Sequence, residues 1–212
     1  MKNLQPILLF TLIAMMIFSC KKDETSDIKV DINGLTKDIT NFVPDSIIQK
    51  MKEFGMPIYG GGNPPLLMEN GQEMKFFVDN FTLINSNVLA DYPNKKFSNY
   101  FVMTNNQDNN QLKLDFEMVT EDLTSVSKGR GSYIVGDNNK FTIFVDIQNV
   151  RSNTNSKADA VIVVSGVKSD EGILNFHYAN FMLNDYGDSD NVYIANGEGR
   201  VIYDEDGMSE FQ

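Results

Sequence analysis

Alternation of apolar and polar residues with a period of two runs through much of the chain after residue 70. In QLKLDFEMVT (111–120) the even positions up to 118 are apolar, and positions 113, 115 and 117 carry charges. The segment KFTIFVDIQ (140–148) repeats this alternation. Successive side chains of a β-strand point to opposite faces, so this period predicts strands with one buried and one solvated face.

Further strand-like segments follow one another at short intervals, joined by turn-like sequences such as GDNN and KSDEG. They are EMKFFVDNFTLI, SNYFVMT, GSYIVGD, ADAVIVVSG, ILNFHYANFML, NVYIAN and GRVIYDE. In the first of them the alternation slips at Asp79-Asn80, which predicts a β-bulge. About eight to ten antiparallel strands in succession predict an all-β fold. We prefer an up-and-down barrel, and the alternative is a β-sandwich.

One segment before the strands has a helical period. In VPDSIIQKMKEFG (43–55) the apolar residues recur at the spacing of one helix face, and Pro44 and Asp45 suit a helix start. Gly55 suits its end. The sequence therefore predicts one N-terminal helix that plugs or flanks the barrel.

The first nineteen residues have the layout of a lipoprotein signal peptide. Lys2 precedes an apolar run from Ile7 to Phe18, which at about twelve residues is too short to cross ~30 Å of hydrocarbon. The run ends in Ile-Phe-Ser-Cys20, which resembles a bacterial lipobox, in which the cysteine is acylated and becomes the new N-terminus. Several acyl chains, such as palmitate, hold a protein stably on a membrane. Cys20 is thus the expected lipid-attachment site.

The residues directly after this cysteine are charged. Lys21, Lys22, Asp23 and Glu24 resemble the surface-export signal of lipoproteins from Bacteroidota. The resemblance implies an outer-membrane lipoprotein exposed on the cell surface. The alternative is a charged, solvated tether that carries no targeting information. The expected organisation is a signal peptide (1–19), an acylated cysteine with a polar tether (20–30) and a single β domain (31–212).

The charge balance narrows the classes of partner. The chain has 29 acidic and 18 basic residues, a net charge of −11, and removing residues 1–19 would remove Lys2 and no acid. Such a surface repels phosphate backbones, so no nucleic-acid partner is expected. It also opposes adsorption on anionic lipid, so the acyl chains would have to supply membrane attachment.

Few residues suggest catalysis or a cofactor. His177 is the only histidine, so a zinc site with several histidines is impossible and a Ser-His-Asp triad would have to include it. Gly129-Arg130-Gly131 lacks the spacing of a dinucleotide-binding loop and reads as a strand bend. A hydrolase based on two carboxylates remains the least favoured alternative. We expect no enzyme and no cofactor.

Two acidic turns are weak candidates for calcium, which takes six to eight oxygen ligands. One turn offers Asp185, Asp188 and Asp190, and the other offers Asp204 and Asp206. Neither completes the twelve-residue loop of a helix-loop-helix calcium site. Solvated hairpin loops are the preferred interpretation.

From GVKSDEGILNFHYANFML to GEGRVIYDEDGMSE the chain is similar to the C-terminal part of a group of Bacteroidota lipoproteins of unassigned function. The strand succession also resembles lipocalin-like (calycin) barrels, although the Gly-x-Trp motif of lipocalins is missing. Barrels of this size can hold one small ligand. We therefore expect a surface lipoprotein that binds a small apolar ligand or a peptide. The alternative is a structural or interaction module of a surface complex with a filled interior. The candidate ligand-lining residues are Tyr59, Phe141, Ile143, Phe176 and Tyr178.

Overall fold

The computed structural model describes residues 30–69, 71–123, 125–129, 131–150, 157–188 and 193–212. Cys20, the export residues Lys21, Lys22, Asp23 and Glu24, and Asp190 lie outside the described residues. Within these ranges, two helices precede thirteen strands. The helices are α1 (Lys37–Phe42) and α2 (Asp45–Glu53). The strands are β1 (Gly62–Asn63), β2 (Met68–Glu69), β3 (Gln72–Val78), β4 (Phe81–Ser86), β5 (Tyr100–Asp108), β6 (Lys113–Thr120), β7 (Val126–Lys128), β8 (Gly131–Asp137), β9 (Lys140–Val150), β10 (Lys157–Lys168), β11 (Gly172–Asn184), β12 (Gly199–Asp204) and β13 (Met208–Glu210).

The two helices are short and adjacent. Oγ1 of Thr36 caps α1 by accepting a hydrogen bond from the N–H of Ile39 at 3.3 Å. The predicted helix is α2, with Pro44 in its N-cap position and Asp45 as its first residue. Helix α1 was not predicted, because its six residues form less than two helical turns and are too few to show a helical repeat of apolar residues.

The strands form one curled, antiparallel sheet. Ten of them follow the order β2-β3-β5-β6-β8-β9-β10-β11-β12-β4, and β1, β7 and β13 pair at its sides. Within the described part of the chain every strand pair is antiparallel except β1 with β8, which is parallel. The predicted all-β, barrel-like fold is confirmed. A single continuous sheet curls around the core, in place of the two packed sheets of a sandwich.

The sheet carries a core on each face because its central strands are apolar on both. In β9, Phe141, Ile143 and Val145 point into the enclosed core, while Phe144 points to the outer face. The helices cover that outer face with Ile39, Ile47, Ile48 and Met51. Helix α2 therefore flanks the barrel and leaves its interior to strand side chains. No helix among the described residues has the length and apolarity to span a membrane.

Near the C-terminus, β11 changes partner and the sheet splits. Its first residues pair with β13, and residues 177–181 pair with β12. On the other side of the split, β3 pairs with β5 whereas β4 pairs with β12. The chain therefore turns twice at this place, at Asp79-Asn80 between β3 and β4 and at Glu205–Gly207 between β12 and β13.

The predicted β-bulge at Asp79-Asn80 is wrong, because the two strands on either side of it belong to different pairings. Asn80 has a φ of 52°, in the left-handed region that asparagine tolerates better than most residues. We call the meeting of the two turns the split corner and define it by Asp79, Asn80 and residues 204–207.

Candidate functional site

Four of the predicted ligand-lining residues lie together in the barrel interior. Phe141 and Phe176 are completely buried, and Ile143 is 1% exposed. The ring of Phe176 lies 5.3 Å from that of Phe76 and 6.0 Å from that of Phe81. Tyr178 packs against this cluster. These side chains fill the space between the strands by contacting one another.

Tyr59, the fifth predicted lining residue, lies elsewhere. Its N–H donates to Oγ1 of Thr142 at 2.8 Å, and Nζ of Lys140 lies 5.4 Å from the centre of its ring. Thr142 alternates with Phe141 and Ile143 along β9, so its side chain is on the outer face. The structure therefore does not bring Tyr59 together with the four interior residues.

An ion-pair network around the buried side chain of Asp91 links the loop before β5 to β12, and it was not predicted from the sequence. The side chain of Asp91 is 1% exposed and lies 2.9 Å from Nε of Arg200 and 3.0 Å from Nζ of Lys95. Ser86 Oγ donates to Asp91 at 2.7 Å. Burial raises the pKa of Asp91, but the hydrogen bonds from Ser86 and Lys95 and the two positive charges outweigh it, so that the pKa is lowered. Asp91 therefore ties the loop before β5 to β12.

The first predicted acidic turn is organised by its own backbone. Asp185 Oδ1 accepts a hydrogen bond from the N–H of Gly187 at 2.9 Å, and Asp188 Oδ2 accepts one from the N–H of Tyr193 at 2.6 Å. Both are turn-stabilising contacts of the kind that aspartate commonly makes in loops. Asp190 lies outside the described residues.

The second acidic turn forms the split corner, and here the structure adds a third carboxylate. One carboxylate oxygen from each of Asp79, Asp204 and Asp206 lies within 4.8 Å of the other two. Among the described residues this is the one group of three potential metal-ligating side chains at that spacing. Asp204 and Asp206 were weak calcium candidates, whereas Asp79 is distant in the sequence and was missed.

Neighbouring donors hold these carboxylates in place. Ser209 Oγ donates to Oδ2 of Asp204 at 2.7 Å, and the N–H of Met208 donates to Oδ1 of Asp206 at 3.1 Å. Asn80 Nδ2 lies 3.4 Å from Oδ2 of Asp206, a long contact that links the two turns. Such outer partners fix the direction in which a carboxylate can bind a ligand.

Asp204 differs from the other two because it is buried. It is 1% exposed, and no hydrogen-bond donor among the described residues reaches its Oδ1. Burial, with the neighbouring carboxylates of Asp206 and Asp79, raises its pKa to about 7 in spite of the hydrogen bond from Ser209. Burial and the charge of Asp206 also raise the pKa of Asp79. At neutral pH Asp204 therefore carries a proton in about half of the molecules.

Asp206 titrates in the opposite direction. Burial raises its pKa, but hydrogen bonds from the backbone of Met208 and from the side chains around it outweigh that effect and lower the pKa. An ionised Asp206 beside a half-protonated Asp204 can bind either a proton or a hard cation. The chemistry open to this corner is thus exchange between those two ligands.

His177 is separate in character from the carboxylates. Its Nδ1 lies 2.8 Å from the carbonyl oxygen of Asn175, and its ring centre lies 6.0 Å from that of Tyr203. Burial lowers its pKa, although the backbone contact acts in the other direction. It is a neutral, packed histidine.

Comparison with known proteins finds no matching family model, curated protein or solved structure. The class that the fold defines is an antiparallel, barrel-like β domain with a flanking helical pair.

Proposed function

We propose that the protein is a lipid-anchored surface protein whose β domain acts as an interaction module, with a protein partner bound on its outside. In this proposal Cys20 carries the acyl chains, residues 21–24 direct export, and the domain stands outside the outer membrane. The observation that carries the proposal is the filled barrel interior.

A ligand in the interior would have to replace side chains that are already packed. Barrels of about eight strands have an interior that is either filled by side chains or holds one small ligand. Here aromatic rings fill it, with Phe76, Phe81 and Phe176 at centre distances of 5.3 to 6.0 Å. Opening a cavity in such a core loses several kcal/mol for each large side chain displaced. This favours the interaction module over a carrier of a small apolar ligand.

The carboxylates of the split corner give little support to a hydrolase. Asp204 has the raised pKa of a general acid, and Asp206 has the lowered pKa of its partner. However, a general acid must reach the substrate atom to which it gives its proton. With 1% of its surface exposed, Asp204 is covered by its own turn.

Exposed apolar side chains on two linked loops support a partner site outside the barrel. Leu89 is 97% exposed and Tyr92 is 61% exposed on the loop before β5, and Leu123 is 72% exposed after β6. The N–H of Glu121 donates to the carbonyl oxygen of Asn99 at 3.0 Å and links the two loops. Large exposed apolar side chains contribute to protein-binding surfaces where they form a contiguous patch.

Native mass spectrometry on the full-length protein, released gently from detergent, tests the proposal. We expect the mass of the acylated chain alone, with no small molecule that disappears on denaturation. A reproducible non-protein mass lost on denaturation would contradict the filled interior and restore the ligand carrier.

The anchor is tested separately with Cys20→Ala. We expect the wild type to sediment with membranes and the variant to be released into the soluble fraction, because one cysteine would carry all the acyl chains. A variant that still sediments would refute lipid anchoring. Protease added to intact cells should degrade the wild-type domain, and protection until lysis would place it in the periplasm.

A further inference from the structure

We propose that Asp79, Asp204 and Asp206 form a calcium site in which the ion joins the two turns of the split corner. The site does not depend on the proposed interaction function. Its first support is the spacing of the three carboxylates. Two oxygens bound to one calcium ion at about 2.4 Å can be at most about 4.8 Å apart. The three carboxylate oxygens meet that limit in every pair.

The second support is independent of the number of acids. Oδ1 of Asp204 is buried, and no donor among the described residues reaches it, although Oδ2 of the same carboxylate is bonded to Ser209. A buried polar atom without a partner is costly. Here the atom belongs to a carboxylate that lies against two others, so a cation is the partner that these surroundings favour.

The chemistry of the donors selects calcium among common cations. All three side chains offer oxygen, which suits hard cations and excludes the nitrogen and sulfur preference of structural zinc sites. Three carboxylates supply three to six of the six to eight oxygens that calcium takes, and the exposed Asp206 leaves room for water to supply the rest. Magnesium demands a near-octahedral arrangement, which two unrelated turns meet less readily than the flexible geometry of calcium.

The charges around the corner favour a cation. Glu210 on β13 adds its negative charge to that of Asp79. Glu205 lies beside the cluster, but it is paired with Lys96, which also contacts Thr82. Lys96 therefore neutralises Glu205, and this pair does not balance the charge of the three aspartates.

The experiment is isothermal titration of the full-length protein in detergent with Ca²⁺, after treatment with a chelator and its removal. Titrations at about pH 8 give the affinity for the ion. Parallel titrations with Mg²⁺ test the choice of ion, and we expect binding at least tenfold weaker than that of Ca²⁺.

Three variants locate the site. Asp206→Asn and Asp79→Asn each remove one ligand charge while keeping side-chain size, and each should weaken calcium binding at least tenfold. Asp185→Asn makes the same chemical change in the other acidic turn and should leave the affinity unchanged. Asp79 is on the turn after β3 and provides a second variant if Asp206→Asn does not fold, since Asp206 also holds the N–H of Met208.

Several results would overturn the proposal. They are no saturable binding of Ca²⁺ by the wild type at about pH 8, an unchanged affinity in a folded Asp206→Asn or Asp79→Asn, and a loss of binding in Asp185→Asn alone. Equal affinities for Mg²⁺ and Ca²⁺ would refute the assignment of calcium.

Discussion

Replacing Asp204 with Asn should make the protein more stable at neutral and alkaline pH, which is unusual for a buried, hydrogen-bonded residue. Asparagine has the shape of a protonated aspartate and carries no charge. In the folded protein Asp204 has a pKa of about 7, raised from 3.8 chiefly by burial and then by its acidic neighbours. Its ionisation at pH 8 is therefore a cost that the variant avoids.

The sign and size of the effect follow from proton linkage. Between pH 3.8 and about 7 the folded state binds more protons at Asp204 than the unfolded state does. This group's contribution to the free energy of unfolding is therefore fully present below pH 3.8, declines as pH rises through that window, and is lost above about pH 7. The full difference corresponds to about 4 kcal/mol, as an upper value. Between pH 5 and pH 8 the part that applies is about 3 kcal/mol.

The assay is urea unfolding of wild type and Asp204→Asn at several pH values from about 5 to 8, with a chelator present so that no cation takes part. Titrating groups outside the split corner affect both proteins alike, so the difference between the two free energies reports on Asp204 and the two carboxylates beside it. We expect this difference to move towards the variant by up to about 3 kcal/mol as pH rises. Asp185→Asn makes the same chemical change in the other acidic turn and is the matched control.

A constant difference between wild type and Asp204→Asn over that range would refute the reasoning. It would mean that Asp204 is ionised, or protonated, to the same degree in both states throughout. A difference moving in the opposite direction would show that the carboxylate is stabilised in its ionised form by a partner.

Two further predictions concern the core and the ion-pair network. Phe176→Ala should lower the free energy of unfolding by about 4 kcal/mol because it opens a cavity among packed rings. Phe77→Ala on the half-buried outer face should lower it by about half as much. Equal losses in urea unfolding would contradict the filled interior. Asp91→Asn should cost about 3 kcal/mol at neutral pH, because it leaves Arg200 and Lys95 without their buried partner. The pKa of Asp91 is lowered in the folded state, so this stabilisation is present above pH 3.8 and is lost as pH falls through the lower folded pKa. The free energies of unfolding of wild type and Asp91→Asn should therefore become similar in acid. A difference that persists there would contradict the ion pair.

The strands were predictable because the order of apolar and polar residues within each strand follows the burial of its two faces. In β6 and β9 one face is more buried than the other, and the alternation of apolar and polar residues shows this without knowledge of the neighbouring strands. Helix α2 was predictable for the same reason, since its apolar face repeats at helical spacing. Phe144 is apolar and lies on the outer face of β9, but this one residue was not enough to predict a second core on that face.

The sites were less predictable because they depend on pairings between distant segments. Asp204 and Asp206 are conspicuous in the sequence, but nothing local shows that Asp79 joins them. That contact depends on β4 leaving β3 to pair with β12. Asp91 likewise meets Arg200 only through the fold. Acidic loops are common, and burial of one carboxylate, which distinguishes the split corner, cannot be read from composition.

The place where β13 joins the sheet has a consequence for the order in which the chain can fold. Phe211 bridges to Phe76, and the N–H of Gln212 donates to the carbonyl oxygen of Lys75 at 2.9 Å. Because β2 pairs only with residues 72–73 of β3, the part of β3 after residue 73 receives its second neighbour from these last residues. During synthesis or transport that proceeds from the N-terminus, β3 has an open edge until residues 208–212 arrive. Closure is thus a late, long-range event, and such contacts slow folding and expose an edge that other chains can join. A chaperone that covers β3 would therefore protect the chain for as long as those residues are missing.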